Sequence, residues 1–345
     1  MVTAEPASPA SVPAPVAEQP RIVVRTQLGR ADDLRAELEV EVVVPPGLAP
    51  PGAALAVDAA LLGPESIRST TLPVRLPVRF APLRETPAGR AFTGRVVLTE
   101  PAYWTAELPM RYRLTGRLLV DGQPAAEFAE SIGLRRLGVR GRSLWLDGRR
   151  WVPRGLACGR ANDQGLADRL AVVEAAAVAF VELPAAVAAD DCRPFWNYLT
   201  EADRLGRPLF VRLTAGSPGA TAEGIARLAR HPAVMAVVLP AELLAAAAGW
   251  KRVAGTMLLA AEVPGDQPPP SFAPPGIDLL VVRLAADALP ADVWRVPATL
   301  PAVVWQAASG ATRAGCDRLQ ATLAGWRRAG ERPPADWDWA GFLVG

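Results

Sequence analysis

The chain has 345 residues, 50% hydrophobic and 21% charged, with a formal net charge of +2. That is the balance of a globular protein with room for two domains, and no single-sign block marks out nucleic acid or an acidic partner. One histidine, His231, and three widely spaced cysteines, Cys158, Cys192 and Cys316, exclude a disulfide framework, a zinc knuckle and any histidine-based triad that does not use His231.

Residues 1–20, MVTAEPASPASVPAPVAEQP, are rich in Pro, Ala and Ser and lack both a basic start and a continuous apolar core. They read as a disordered leader, not a signal peptide, which places the protein in the cytoplasm. No run of about 18 apolar residues free of charge and proline suggests a membrane span.

Residues 21–138 carry strand patterns: RIVVRTQL, LRAELEVEVVV, AALAVDAALL, TTLPVRLPVRF, AFTGRVVLTE, MRYRLTGRLLVDG and AAEFAESIGLRR. Several alternate apolar and polar residues, and turn-formers such as PPG and DGQ separate them. Short strands at regular spacing with no helix between them predict an immunoglobulin-like β-sandwich.

From 139 to 345 the rhythm changes. SLWLDGRRWVPRG predicts a hairpin about Asp147-Gly148, and eight apolar runs follow: WVPRGLA, AAVAFVELP, RPLFVRLT, AVMAVVLP, GTMLLAAEV, IDLLVVRL, PAVVWQAA and WAGFLVG. Helical segments such as LADRLAVVEAAA, RPFWNYLTEADRLG, TAEGIARLARH and ATRAGCDRLQATLAGWRRAG lie between them. Strands alternating with helices close a (β/α)8 TIM barrel. The barrel is reduced: PGDQPPPSFAPPG is too proline-rich for a helix, and none follows strand eight. The bare flank predicts association with a protein partner or a second copy.

The C-terminal mouth of such a barrel is where active sites lie. Glu242, after strand four, points there, although a carboxylate at that position is also what a helix start favours. Glu182, Glu262 and Asp287 are further mouth candidates, and Arg154, Arg212 and Arg283 are arginines able to pair with them. His231 precedes strand four and belongs to the opposite rim, as a structural residue. The many tryptophans could offer flat binding platforms but suit core packing better, and GSPGAT lacks the lysine of a phosphate loop.

The stretch PAYWTAELPMRYRLTGRLLVDG, followed by IGLRRLGVRGRSLWLDGRRWVPRG, resembles the junction between sandwich and barrel in glycoside hydrolase family 2, the β-galactosidase, β-glucuronidase and β-mannosidase group. Tyr103, Trp104, Glu107, Pro109, Tyr112, Gly133, Arg135, Leu146, Asp147, Gly148, Arg154 and Gly155 carry the resemblance, and ARHPAVMAVVLPAE resembles the family's strand four. It implies that Glu242 holds the acid/base position and that Gln306 stands where the family has its nucleophile. A neutral amide cannot attack an anomeric carbon.

The family's polar residues are also replaced, its Asn before the acid/base by Ala241, preceded by Pro240, and the Asn and His after strand one by Ala157 and Gly159. Strand eight's tryptophan becomes Val344. The resemblance therefore implies a degenerate glycosidase serving as a carbohydrate-binding or scaffolding module, with Ala241, Glu262, Glu182 and Arg154 lining its site and no cofactor or metal. Two other readings stay open. One is an active O-glycosyl hydrolase using Glu242 with Glu262 as second carboxylate; the other is a purely structural partner of another chain. If Gln306 faces the mouth, alternation turns Trp305 outward.

Overall fold

The computed structural model describes residues 21–345 apart from 88, 164, 174–176, 185–191, 218, 271–273, 296–299, 308–311 and 329–337. The leader and Trp337 lie outside the described residues.

Two antiparallel sheets make the N-terminal domain. One runs β1 (Val23–Ala31), β2 (Arg35–Val44), β7 (Gly89–Thr99) and β5 (Arg79–Phe80), with β6 (Arg84–Thr86) also on β7. The other runs β4 (Val74–Pro77), β3 (Leu55–Glu65), β8 (Arg111–Val120) and β9 (Gln123–Ile132). The period of two decides which side is buried: in β2, Ala36, Leu38, Val40 and Val42 face inward while Glu37, Glu39 and Glu41 alternate with them. Leu61, Leu114 and Leu118 from the other sheet complete one shared core.

A small sheet of β10 (Leu137–Arg140), β11 (Ser143–Leu146) and β12 (Arg149–Trp151) leads into the barrel. Asp147 and Gly148 both take positive φ, 49° and 75°, the backbone that a two-residue hairpin turn demands. Trp151, expected to open the first barrel strand, ends this hairpin instead, and its ring meets Phe210 edge-on at 6.2 Å. Val152 and Pro153 separate it from β13, as suits a residue that cannot donate to a ladder.

The barrel closes through β13 (Arg154–Arg160), β14 (Val178–Leu183), β15 (Leu209–Leu213), β16 (Val234–Leu239), β17 (Leu258–Pro264), β18 (Leu279–Leu284), β19 (Ala302–Gln306) and β20 (Gly341–Val344), all eight parallel. Continuous apolar runs such as VMAVVL in β16 are buried on both faces, as a sheet with a packed interior and a helical coat requires. The coat includes α1 (Leu166–Val172), α2 (Arg193–Leu205), α3 (Ala222–Ala229), α4 (Leu244–Ala254) and α5 (Arg313–Arg328). Thr221 caps α3 by accepting from Gly224 N at 3.0 Å.

The flank beside strand eight is not bare. α5 packs on both β20 and β13, and the outward residues of β20, Phe342 and Val344, are each only 2% exposed. The helix between the last two strands lies over this flank, so among the described residues the outward side chains of β20 leave no apolar surface open there. No helix among the described residues is long and apolar enough to cross a membrane.

The two domains meet on a buried polar seam. Trp104, fully buried, donates its indole N–H to the backbone carbonyl of Asp203 at 2.8 Å. The Asp203 carboxylate takes Ala233 N at 2.9 Å and pairs with His231 Nδ1 at 2.7 Å. Burial pushes the Asp203 carboxyl up, while His231, Ala233 N and Arg135 pull it back. Arg135, also buried, donates to the carbonyls of Pro232 and of Val234, the latter at 2.6 Å, at the start of β16. Burial lowers its pKa to about 10 against the pull of Asp203. His231 thus serves the junction at the end of the barrel opposite the mouth.

At the same seam Gly206 ends α2 at φ 70°, and a Cβ there would run into the carbonyl oxygen of Ala106. Gly206→Ala is expected to cost at least the ~1–2 kcal/mol of a left-handed non-glycine residue, read as a lower urea midpoint with an unchanged slope.

Candidate functional site at the barrel mouth

Contacts between strands that are not neighbours can only be made through the barrel interior, and they identify the residues that fill the mouth. Phe180 of β14 meets Trp305 of β19 edge-on at 4.8 Å. The Arg212 guanidinium of β15 lies 5.8 Å from the Trp305 ring centre. Arg212 also reaches Glu262 of β17, Nε to Oε2 at 2.6 Å, and its neighbour in register, Glu182, at 2.6 Å.

Two more arginines finish the row. Arg160, at the end of β13, approaches Glu182 at 3.0 Å, and Arg283, in β18, approaches Glu262 at 3.3 Å. The order Arg160, Glu182, Arg212, Glu262, Arg283 is an alternating chain of charge laid across the mouth. Its inner members are withdrawn from water: the Arg212 and Glu262 side chains are 17% and 9% exposed, whereas those of Arg160 and Arg283 are 64% and 55% exposed. Burial acts to lower the Arg212 pKa, but bonds and charge from Glu262 and Glu182 hold it above the ordinary arginine value.

Gln306 does not face this layer. Trp305 occupies the inward position at the end of β19, and Gln306, one residue on, turns the other way and donates its amide to the Ala288 carbonyl at 3.0 Å. The expectation that Trp305 points outward is therefore reversed, because a one-residue shift in matching a strand exchanges its two faces. The Trp305 indole donates to the Gly345 carbonyl at 3.0 Å.

Glu242 lies beyond β16, in a single 3-10 turn, Ala241–Leu243, that runs directly into α4. It is exposed, as is Ala241, and its carboxylate forms no hydrogen bond or ion pair with any described residue. Its place in the first turn is one that a helix start favours for an acidic residue. Glu262 and Glu182 are both held by arginines, and Asp287 sits exposed in the connection after β18 at φ 57°. Arg154 is not part of the mouth: it begins β13 and turns to α5, where it pairs with Asp317 at 2.9 Å and bonds Gln320. As an outward position on its strand, it is separated from the interior by the barrel wall.

Among these residues the structure brings together Glu182 and Glu262, and it keeps Gln306 and Arg154 away from them. Phe180 and Arg160 were not anticipated. Alternation back from Glu182 would have found Phe180, but an irregular register between Ala157 and Arg160 hides Arg160 from pattern reading. Two cavities, of about 270 Å3 beside Tyr103 and Arg136 and about 590 Å3 beside Arg75 and Arg117, open on the N-terminal domain rather than at the mouth. The three cysteines are buried and form no disulfide, and no group of side chains suited to a metal ion occurs among the described residues.

No family model and no curated protein matches the chain. Solved structures do. The β-glucuronidase from Ruminococcus gnavus aligns with a TM-score of 0.59 at 12% identity, over 94% of this chain and 61% of that one. β-Glucuronidase 2 of Bacteroides uniformis aligns with a TM-score of 0.56 at 16% identity, over 93% and 45%. A glycosyl hydrolase family 2 member from Bacteroides cellulosilyticus aligns at 0.58 and 14%, over 93% and 43%. The chain thus has a family 2-like fold, an antiparallel β part followed by a closed parallel barrel, and it spans less than two thirds of the length of these relatives.

Proposed function

We propose that the protein is a glycosidase-type scaffold that does not hydrolyse glycosides and works as a binding or scaffolding module. The division at 138/139 then separates an immunoglobulin-like domain from a mouth that receives a ligand without turning it over. The observation that carries this reading is Arg212, clamped between Glu182 and Glu262 where hydrolysis calls for uncommitted carboxylates. A retaining mechanism needs two carboxyl groups about 5–5.5 Å apart, one ionised to attack and one protonated to release the leaving group. Glu262, its side chain only 9% exposed, is committed to arginines on two sides, Arg212 and Arg283. Glu242 is exposed and makes no hydrogen bond or ion pair with any described residue.

The test is a panel of aryl β- and α-glycosides, uronides included, at high protein concentration. Release no faster than in buffer is the expected result. Hydrolysis that disappears in Glu242→Gln would overturn the proposal and reinstate an enzyme with Glu242 as its acid.

A further inference from the structure

The charge chain ends on two guanidiniums that have donors to spare. Arg160 and Arg283 each approach a glutamate with Nε, and no described residue accepts a hydrogen bond from the terminal nitrogens of either. Each guanidinium carries four N–H donors on those nitrogens, in the planar fork that fits an oxyanion bidentately. Both side chains are more than half exposed, yet each is held in place from behind by a glutamate that Arg212 also grips. Such anchoring reduces the side-chain ordering that a ligand must impose. The row also has three guanidiniums against two carboxylates. Because the inner guanidinium is enclosed by both glutamates, the surplus positive charge is presented at the two ends.

From this arrangement we infer that each end of the row at the barrel mouth is an oxyanion-binding site, anchored by Arg160 at one end and by Arg283 at the other, for a ligand carrying a carboxylate or phosphate group. The inference rests on the non-hydrolytic reading of the same mouth and names the chemistry of what is bound there. Opposing charge comes from Glu242 and Asp287, both exposed on the same rim. They weaken binding without touching the anchors, so Glu242→Gln is expected to tighten it.

The experiment is titration calorimetry of the intact protein with sodium phosphate, sodium sulfate and sodium acetate, each against sodium chloride at matched ionic strength. Saturable binding in the millimolar range is expected for at least one oxyanion, at least tenfold weaker in the double variant Arg160→Gln/Arg283→Gln. Binding of acetate alone assigns a carboxylate ligand, of phosphate or sulfate alone a tetrahedral oxyanion, and of both the shared chemistry. No saturable binding by any of the three would sink the inference, as would equal binding by a double variant whose circular dichroism is unchanged. Neither result bears on turnover, which the glycoside panel reads separately.

Discussion

Replacing Arg135 by methionine is expected to lower the unfolding free energy by about 3–5 kcal/mol, the usual cost of removing one member of a buried charged constellation. Methionine approximates the aliphatic stem, so the loss comes from polar groups left behind. The carbonyls of Pro232 and Val234 lose a charged donor, and Asp203 loses the pull of a buried guanidinium. Urea titration followed by tryptophan fluorescence reads the change, with the exposed Arg30→Met as a control expected to stay within ~0.5 kcal/mol. An Arg135→Met protein as stable as the parent would mean that the seam is not bound by this side chain.

The second large effect belongs to the mouth. Arg212→Met strands Glu182 and the largely enclosed Glu262 beside one another with only the exposed ends of the chain to balance them, and it is expected to cost about 3 kcal/mol, the low end for breaking a buried pair because this one is partly exposed. The same substitution made together with Glu182→Gln and Glu262→Gln removes the unbalanced charge as well. The triple variant is expected to recover most of that loss, because the penalty lies in uncompensated carboxylates and not in missing contacts. Thermal unfolding of the three proteins at one pH and salt concentration checks this. If the triple variant is no better than Arg212→Met, packing of the guanidinium on Trp305 dominates.

Much of this architecture was legible because burial on two faces and burial on one face leave different marks. Runs such as VMAVVL and LLVVRL, recurring between helical patterns, carry the mark of strands in a covered parallel sheet, whereas the glutamates of RAELEVEVVV alternate with its buried side chains. The hairpin at Asp147-Gly148 was fixed by backbone sterics alone. What could not be read was direction at the strand ends. Whether Trp305 or Gln306 looks inward depends on a one-residue register that no local composition fixes. Arg154 resembles Arg212 in sequence yet stands on the outer wall, as only its contacts with Asp317 and Gln320 reveal. Arg160 joins the mouth through an irregularity in β13 that depends on its neighbour strand. Covering of the last strand by α5 was equally invisible, since a helix's tilt is set by what it packs on and not by its own pattern.

Trp104 precedes the line at which the sequence changes character, yet its indole packs within the hydrophobic interior that belongs to the barrel. A fragment cut at residue 139 would keep every barrel strand and still lack that peg, leaving a hole beneath α2 and the Asp203 carbonyl without its donor. The modules are separable on paper, but the second inherits part of its floor from the first, and recombining it with a foreign partner would have to supply a replacement.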